Sequence, residues 1–152
     1  PIRVVIDKAE EKLSEAKSIA KLKKDNCGSL SFEIMDNFDG RDESTQHTSY
    51  GAIRSMLPYY TDTAEDIIRM TDEFSENMNK TRIRNVLDAF ENAESAEEAD
   101  LFLNYFNAKN SESRVELLPV DGYTIKGGFY TDHDGKRYIV WNDILTMMDF
   151  IK

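Results

Sequence analysis

The stretch YTDHDGKRYIVW, residues 130–141, places Asp132, His133 and Asp134 in successive positions. Two carboxylates beside an imidazole suit a hard or borderline metal ion, or a carboxylate that orients His133 as a general base. A simpler reading competes with that chemistry. Asp-Gly is a favoured tight-turn dipeptide, because positive φ is cheap at glycine. Successive strand residues point to opposite faces, so Asp132 and His133 converge only if a turn bends them together. The spacing predicts a hairpin, with a His133-centred site as the alternative.

Other candidates are weaker. Centring a calcium loop on Gly40 or Gly135 puts Met35 and Gln46, or Tyr130 and Trp141, at its first and last ligand positions. Neither pair supplies the required carboxylates. Asp36, Asp39, Asp42 and Glu43 read as a solvated acidic loop. His47 and Ser49 are hydrolase residue types, but no GxSxG elbow accompanies them. Cys27 is the single cysteine, so an intramolecular disulfide and a thiolate zinc cluster are both excluded. Its place near a helix C-terminus does not lower a thiol pKa. GxxxxGK[ST], GxGxxG and HExxH are absent, and KGG at 126–128 is too short to replace them. No cofactor and no metal are expected.

Pro1 heads the run PIRVVID, read as a strand, which precedes a helix and the alternating run SLSFEI. This opening loosely resembles that of the tautomerase superfamily, whose N-terminal proline is the catalytic base. The resemblance covers only these elements and implies Pro1 as a base. Removal of an initiator methionine would leave the same first residue.

The elements that must position such groups follow from periodicity. Ile2, Val4, Val5 and Ile6 form a β-branched run that predicts a buried strand. Ala9, Leu13, Ala16 and Ala20 then recur at helical spacing, with glutamates early and lysines late as the helix dipole favours. Leu30, Phe32 and Ile34 alternate with polar residues, completing an expected strand-helix-strand. The polar, turn-rich stretch 36–49 predicts an exposed loop. Ile53, Met56 and Leu57 suggest a short helix ended by Pro58. Three more helices are expected, capped by Thr63, Thr81 and Ser95, the last with Glu98 in a capping box. The segment ADLFLNYFNAK is apolar around much of its circumference, which predicts burial. VELLPV, GYTIKGGFYT and KRYIVW read as strands of a C-terminal antiparallel sheet, followed by a helix capped by Asn142. The expected architecture is a single α+β domain over 1–152: an N-terminal strand-helix-strand, a helical acidic middle, and C-terminal β-hairpins followed by a helix.

Charge is the remaining broad feature. The net charge is −10, and residues 33–100 hold six Lys/Arg against seventeen Asp/Glu. Such a surface repels phosphate, which disfavours direct nucleic-acid binding. No apolar run is long enough to cross a bilayer, and the lone cysteine fits a reducing compartment, so a cytoplasmic location is expected. Glu65, Asp66, Asp72, Glu73, Glu76, Asp88, Glu91, Glu94, Glu97 and Glu98 fall mostly on predicted solvent faces. Acidity of this kind commonly serves solubility. Spaced carboxylates on helices can also imitate DNA phosphates and enter a basic groove, with rapid steered association. The expectation is therefore a small protein-binding module, an inhibitor or adaptor that engages a basic surface of a nucleic-acid-handling protein. The alternatives are a small enzyme using Pro1 or His133, and an oligomeric structural component built on the apolar helix 96–108.

Overall fold

The β-branched run at the start of the chain is helical, not extended. In the computed structural model, which describes residues 2–22, 28–32 and 47–149, helix α1 spans Ile2–Ala20. The physical reason is visible in the spacing: Ile2, Ile6, Ala9, Leu13, Ala16 and Ala20 continue one apolar stripe at steps of three and four. β-Branching lowers helix propensity only slightly, so this periodicity prevails. Pro1, Cys27 and the acidic residues of 36–46 lie outside the described residues, as do Glu33 and Ile34 of the expected second strand.

The chain packs as two compact units, Pro1–Gly40 with Leu57–Glu65, and Arg41–Met56 with Asp66–Lys152. In the first, strand β1 (Ser29–Leu30) pairs antiparallel with β2 (Tyr59–Tyr60), Ser29 opposite Tyr60 and Leu30 opposite Tyr59. The strand that β1 joins is thus downstream of it, not the N-terminal segment. Ser29 Oγ donates to the Ala16 carbonyl and Ser31 Oγ to the Glu15 carboxylate, tying this strand segment to α1. Helix α2 (Thr61–Asn77) starts directly after β2, so Thr63 lies in its first turn and is not its cap. From Asp66 onward α2 belongs to the second unit.

The second unit buries the core. Ile67, Met70 and Phe74 supply the apolar stripe of α2 at helical spacing, and Met78 just beyond the helix end continues it. Helix α3 (Lys80–Asn92) buries Ile83, Val86, Leu87 and Phe90, and packs against α4 (Ala96–Lys109) and α5 (Trp141–Met148). Its N-cap is Asn79, whose side chain accepts from the Arg82 amide at 3.0 Å, two residues before the expected Thr81. The expected Ser95 cap of α4 is present, with Ser95 Oγ accepting from the Glu98 amide at 3.2 Å, while the Glu98 carboxylate reaches one residue further back and accepts from the Glu94 amide at 2.6 Å.

A three-stranded antiparallel sheet follows, in the order β3 (Thr124–Lys126), β4 (Phe129–Thr131), β5 (Arg137–Tyr138). Gly127 and Gly128 make the first turn, Gly127 at φ 59°. VELLPV is not a strand; at its first residue Asn107 of α4 takes both backbone groups of Val115, its Nδ2 donating to the carbonyl and its Oδ1 accepting from the amide. The segment around Ile53 is not a helix either. Ile53 donates to the Arg137 carbonyl and accepts from the Ile139 amide, each at 2.8 Å, so it lies along β5. Helix α5 begins at Trp141 with Val140 as N-cap, which places Asn142 inside the helix.

Candidate functional site

The hairpin at 131–137 decides the reading of Asp132, His133 and Asp134. Asp132 Oδ1 accepts from the amides of Asp134 and Lys136 at 3.0 and 2.9 Å, and its Oδ2 accepts from the Tyr138 hydroxyl at 3.0 Å. The Asp132 carboxylate is therefore committed to folding the turn, whose Gly135 stands at φ 81°. Burial pushes this carboxyl up, but the Lys136 amide, the Tyr138 hydroxyl, the Asp134 amide and the charge of His133 together hold it below the usual carboxylate value. Tyr138 moves the other way, raised first by burial and then by its hydrogen bond to, and the charge of, Asp132. His133 projects into solvent, its side chain 87% exposed, with Nε2 3.5 Å from Asp134 Oδ2. Such an exposed pair adds little stability. Among the described residues, no group of three or more His, Cys, Asp or Glu side chains could hold a metal ion.

Ser49 and His47 do not assemble a nucleophile. Ser49 Oγ donates to the Ala93 carbonyl at 3.4 Å, and neighbouring Tyr50 donates to the Phe90 carbonyl at 2.5 Å, so this stretch straps the end of α3.

The acidic residues separate by burial. Glu65, on α2 in the first unit, is exposed. In the second unit Asp72, Glu73 and Glu76 of α2, Asp88 of α3, Glu94 of the α3–α4 connection, and Glu97 and Glu98 of α4 are also exposed. The two that are half-buried, Asp66 and Glu91, each face an arginine: Asp66 meets Arg69 at 2.9 Å and Glu91 meets Arg54 at 3.8 Å. Asp72 and Glu76, one turn apart, share a face of α2 with a rise of about 6 Å between them.

Two features escaped the sequence reading. Helix α4 buries Ala96, Ala99, Leu103 and Asn107, but leaves Leu101 69% and Tyr105 58% exposed. The expected burial of its apolar residues is thus corrected at two of them: the i, i+4 pair Leu101 and Tyr105 faces outward, with the Lys109 ammonium 4.7 Å from the Tyr105 ring centre. The other feature is an apolar groove in the first unit, between α1 and β1.

Comparison with family models, with curated proteins and with solved structures finds no match. No helix among the described residues is long and apolar enough to cross a membrane.

Proposed function

We propose that this chain is a small cytoplasmic protein-binding module, an inhibitor or adaptor whose acidic helices engage a basic surface of a nucleic-acid-handling protein in the manner of a DNA mimic. The observation that carries the reading is the exposure of Asp72, Glu73, Glu76, Asp88, Glu94, Glu97 and Glu98 on the second unit. Carboxylates left in water keep their charge and act at range, which steers a basic partner and speeds association. A rigid helix also sets their spacing before the partner arrives, which limits the ordering entropy of binding.

The test is affinity capture from a lysate of the source organism at low and at physiological salt, with the captured proteins identified by mass spectrometry. One basic, nucleic-acid-handling protein, retained less as salt rises, is the expected result. The variant Asp72→Asn/Glu73→Gln/Glu76→Gln should weaken that capture. Undiminished capture by this variant counts against those carboxylates as contacts, and an absence of any salt-sensitive partner counts against the whole reading.

A further inference from the structure

The groove in the first unit has a volume of about 480 Å³ and lies between α1 and the segment 29–32. Ala9 and Ala16 are the small residues of its helical wall, and Val5, Leu13, Leu30 and Phe32 are the larger apolar ones. Three of these apolar side chains stand well out into solvent: Val5 is 48% exposed, Leu13 53% and Leu30 42%. A contiguous apolar surface left open in this way marks a binding site more often than a scatter of single exposed residues does. The volume falls in the range of small-molecule sites, which are mostly apolar with a few placed polar groups.

The polar lining selects the ligand's charge. Among the described residues its charged lining members are Lys8 and Lys12, one turn apart on α1, and the Glu15 carboxylate reaches its edge through Lys12 and Ser31. Both lysines pair with glutamates three residues on, Lys8 with Glu11 at 3.1 Å and Lys12 with Glu15 at 3.0 Å. Both pairs are only partly exposed, and an ammonium with three N–H donors can bond a ligand carboxylate while it keeps its glutamate. The hydroxyls of Ser29 and Ser31 are already spent on α1 and hold the strand segment in place as the opposite wall. From Val5 to Ala16 the helix rises roughly 16 Å, a length suited to an extended acyl chain.

We propose that this groove binds a single-chain amphiphile with an anionic head, of the free fatty-acid class, its carboxylate at Lys8 and Lys12 and its chain along Ala9, Leu13, Ala16 and Leu30. This site is independent of the acidic helices of the second unit.

Displacement of a fluorescent dansylated undecanoate by laurate, below the micellar concentration, tests it on the full chain. Saturable displacement by laurate is expected, and dodecyltrimethylammonium, with the same chain and the opposite charge, should compete at least roughly tenfold more weakly. Ala9 is exposed on α1, so Ala9→Phe should leave the helix intact by circular dichroism while filling the groove, with a loss of roughly tenfold or more. Lys8→Gln/Lys12→Gln should erase the preference for laurate over the cationic amphiphile without adding bulk. Leu101→Ser, an exposed apolar position on the second unit, should change nothing. The proposal is overturned by an absence of saturable binding, by equal competition from the two head groups, or by unchanged binding in folded Ala9→Phe. Co-sedimentation with phosphatidylglycerol vesicles that laurate does not reverse would also overturn it, in favour of a membrane-surface role for α1.

Discussion

The Asp100 carboxylate of α4 accepts the Gly128 amide of the β3–β4 turn at 3.0 Å, and this bond fastens the hairpin to the helix. The approach is close enough that side chains are barred. A Cβ at Gly127 would overlap the Asp100 carboxyl, and one at Gly128 would overlap the Phe90 ring. Gly128→Ala should therefore destabilise the protein by about 2 kcal/mol or more through overpacking against Phe90 and Leu103. Gly135→Ala also suffers from its positive φ, but meets open space and should lose only about 1 kcal/mol. Chemical denaturation of the two variants side by side checks the order, and equal losses would contradict it.

Asn107 offers a second test of the same helix. It is buried, and its two bonds to Val115 satisfy a segment that has no strand partner. Asn107→Leu removes both bonds and leaves the Val115 amide and carbonyl buried without them, an expected loss of roughly 2–3 kcal/mol. Hydrogen exchange at the Val115 amide should accelerate well before global unfolding. Protection equal to wild type would show that this segment is held by something else.

These two contacts illustrate what was legible in the residues and what was not. The Ser95 cap on the Glu98 amide is local, its partners three residues apart, and the sequence pattern specifies it directly. The α+β class and the C-terminal sheet followed by a helix were likewise readable, from changes of period and from glycine punctuation. Asp100 with Gly128, and Asn107 with Val115, are instead pairs between a helix and an irregular or turn segment, and no periodicity announces such pairs. The same limit misplaced the segment at Ile53, whose apolar spacing looked helical while its backbone is taken by Arg137 and Ile139. At the N-terminus the error was one of weighting. Four β-branched residues suggested a strand, but Ile2 and Ile6 sit in register with the apolar stripe of the helix that follows. For the candidate site, the turn chemistry of Asp-Gly was readable in advance, whereas the groove depends on a strand segment folding back against α1.

Asp143 should prove the most sensitive carboxylate of the second unit. It is only 2% exposed, in the first turn of α5, where it accepts from Ser55 Oγ at 2.7 Å and from the Met56 amide at 2.9 Å. The helix N-terminus adds favourable electrostatics. Asp143→Asn keeps an oxygen for the Met56 amide but forces the Ser55 hydroxyl to accept rather than donate, and removes the charge that strengthens both bonds, so a loss of roughly 1–2 kcal/mol is expected. Ser55→Ala should lose less, because the Met56 bond survives. A thermal melt of Asp143→Asn within a degree or so of wild type would refute the anchoring role of this carboxylate.

Asp132 makes a prediction about acid. Its folded pKa lies below the ordinary value of 3.8, so the folded state binds its proton less readily than the unfolded chain does. The stability it contributes is fully present above that ordinary value and fades as pH falls through the lower, folded value. Asp132→Asn keeps the shape but removes the charge behind three accepted hydrogen bonds. The variant should be less stable than wild type by about 1 kcal/mol at neutral pH, a modest figure because the turn is solvent-accessible. The gap should begin to shrink as pH falls past 3.8, where the unfolded chain takes up the proton, and close once pH has passed the lower, folded value, where folded wild type carries a protonated Asp132 too. Urea unfolding of both proteins between neutral pH and pH of about 3 reads this directly. A gap that stays constant over that span would assign the effect to geometry rather than to the carboxylate charge.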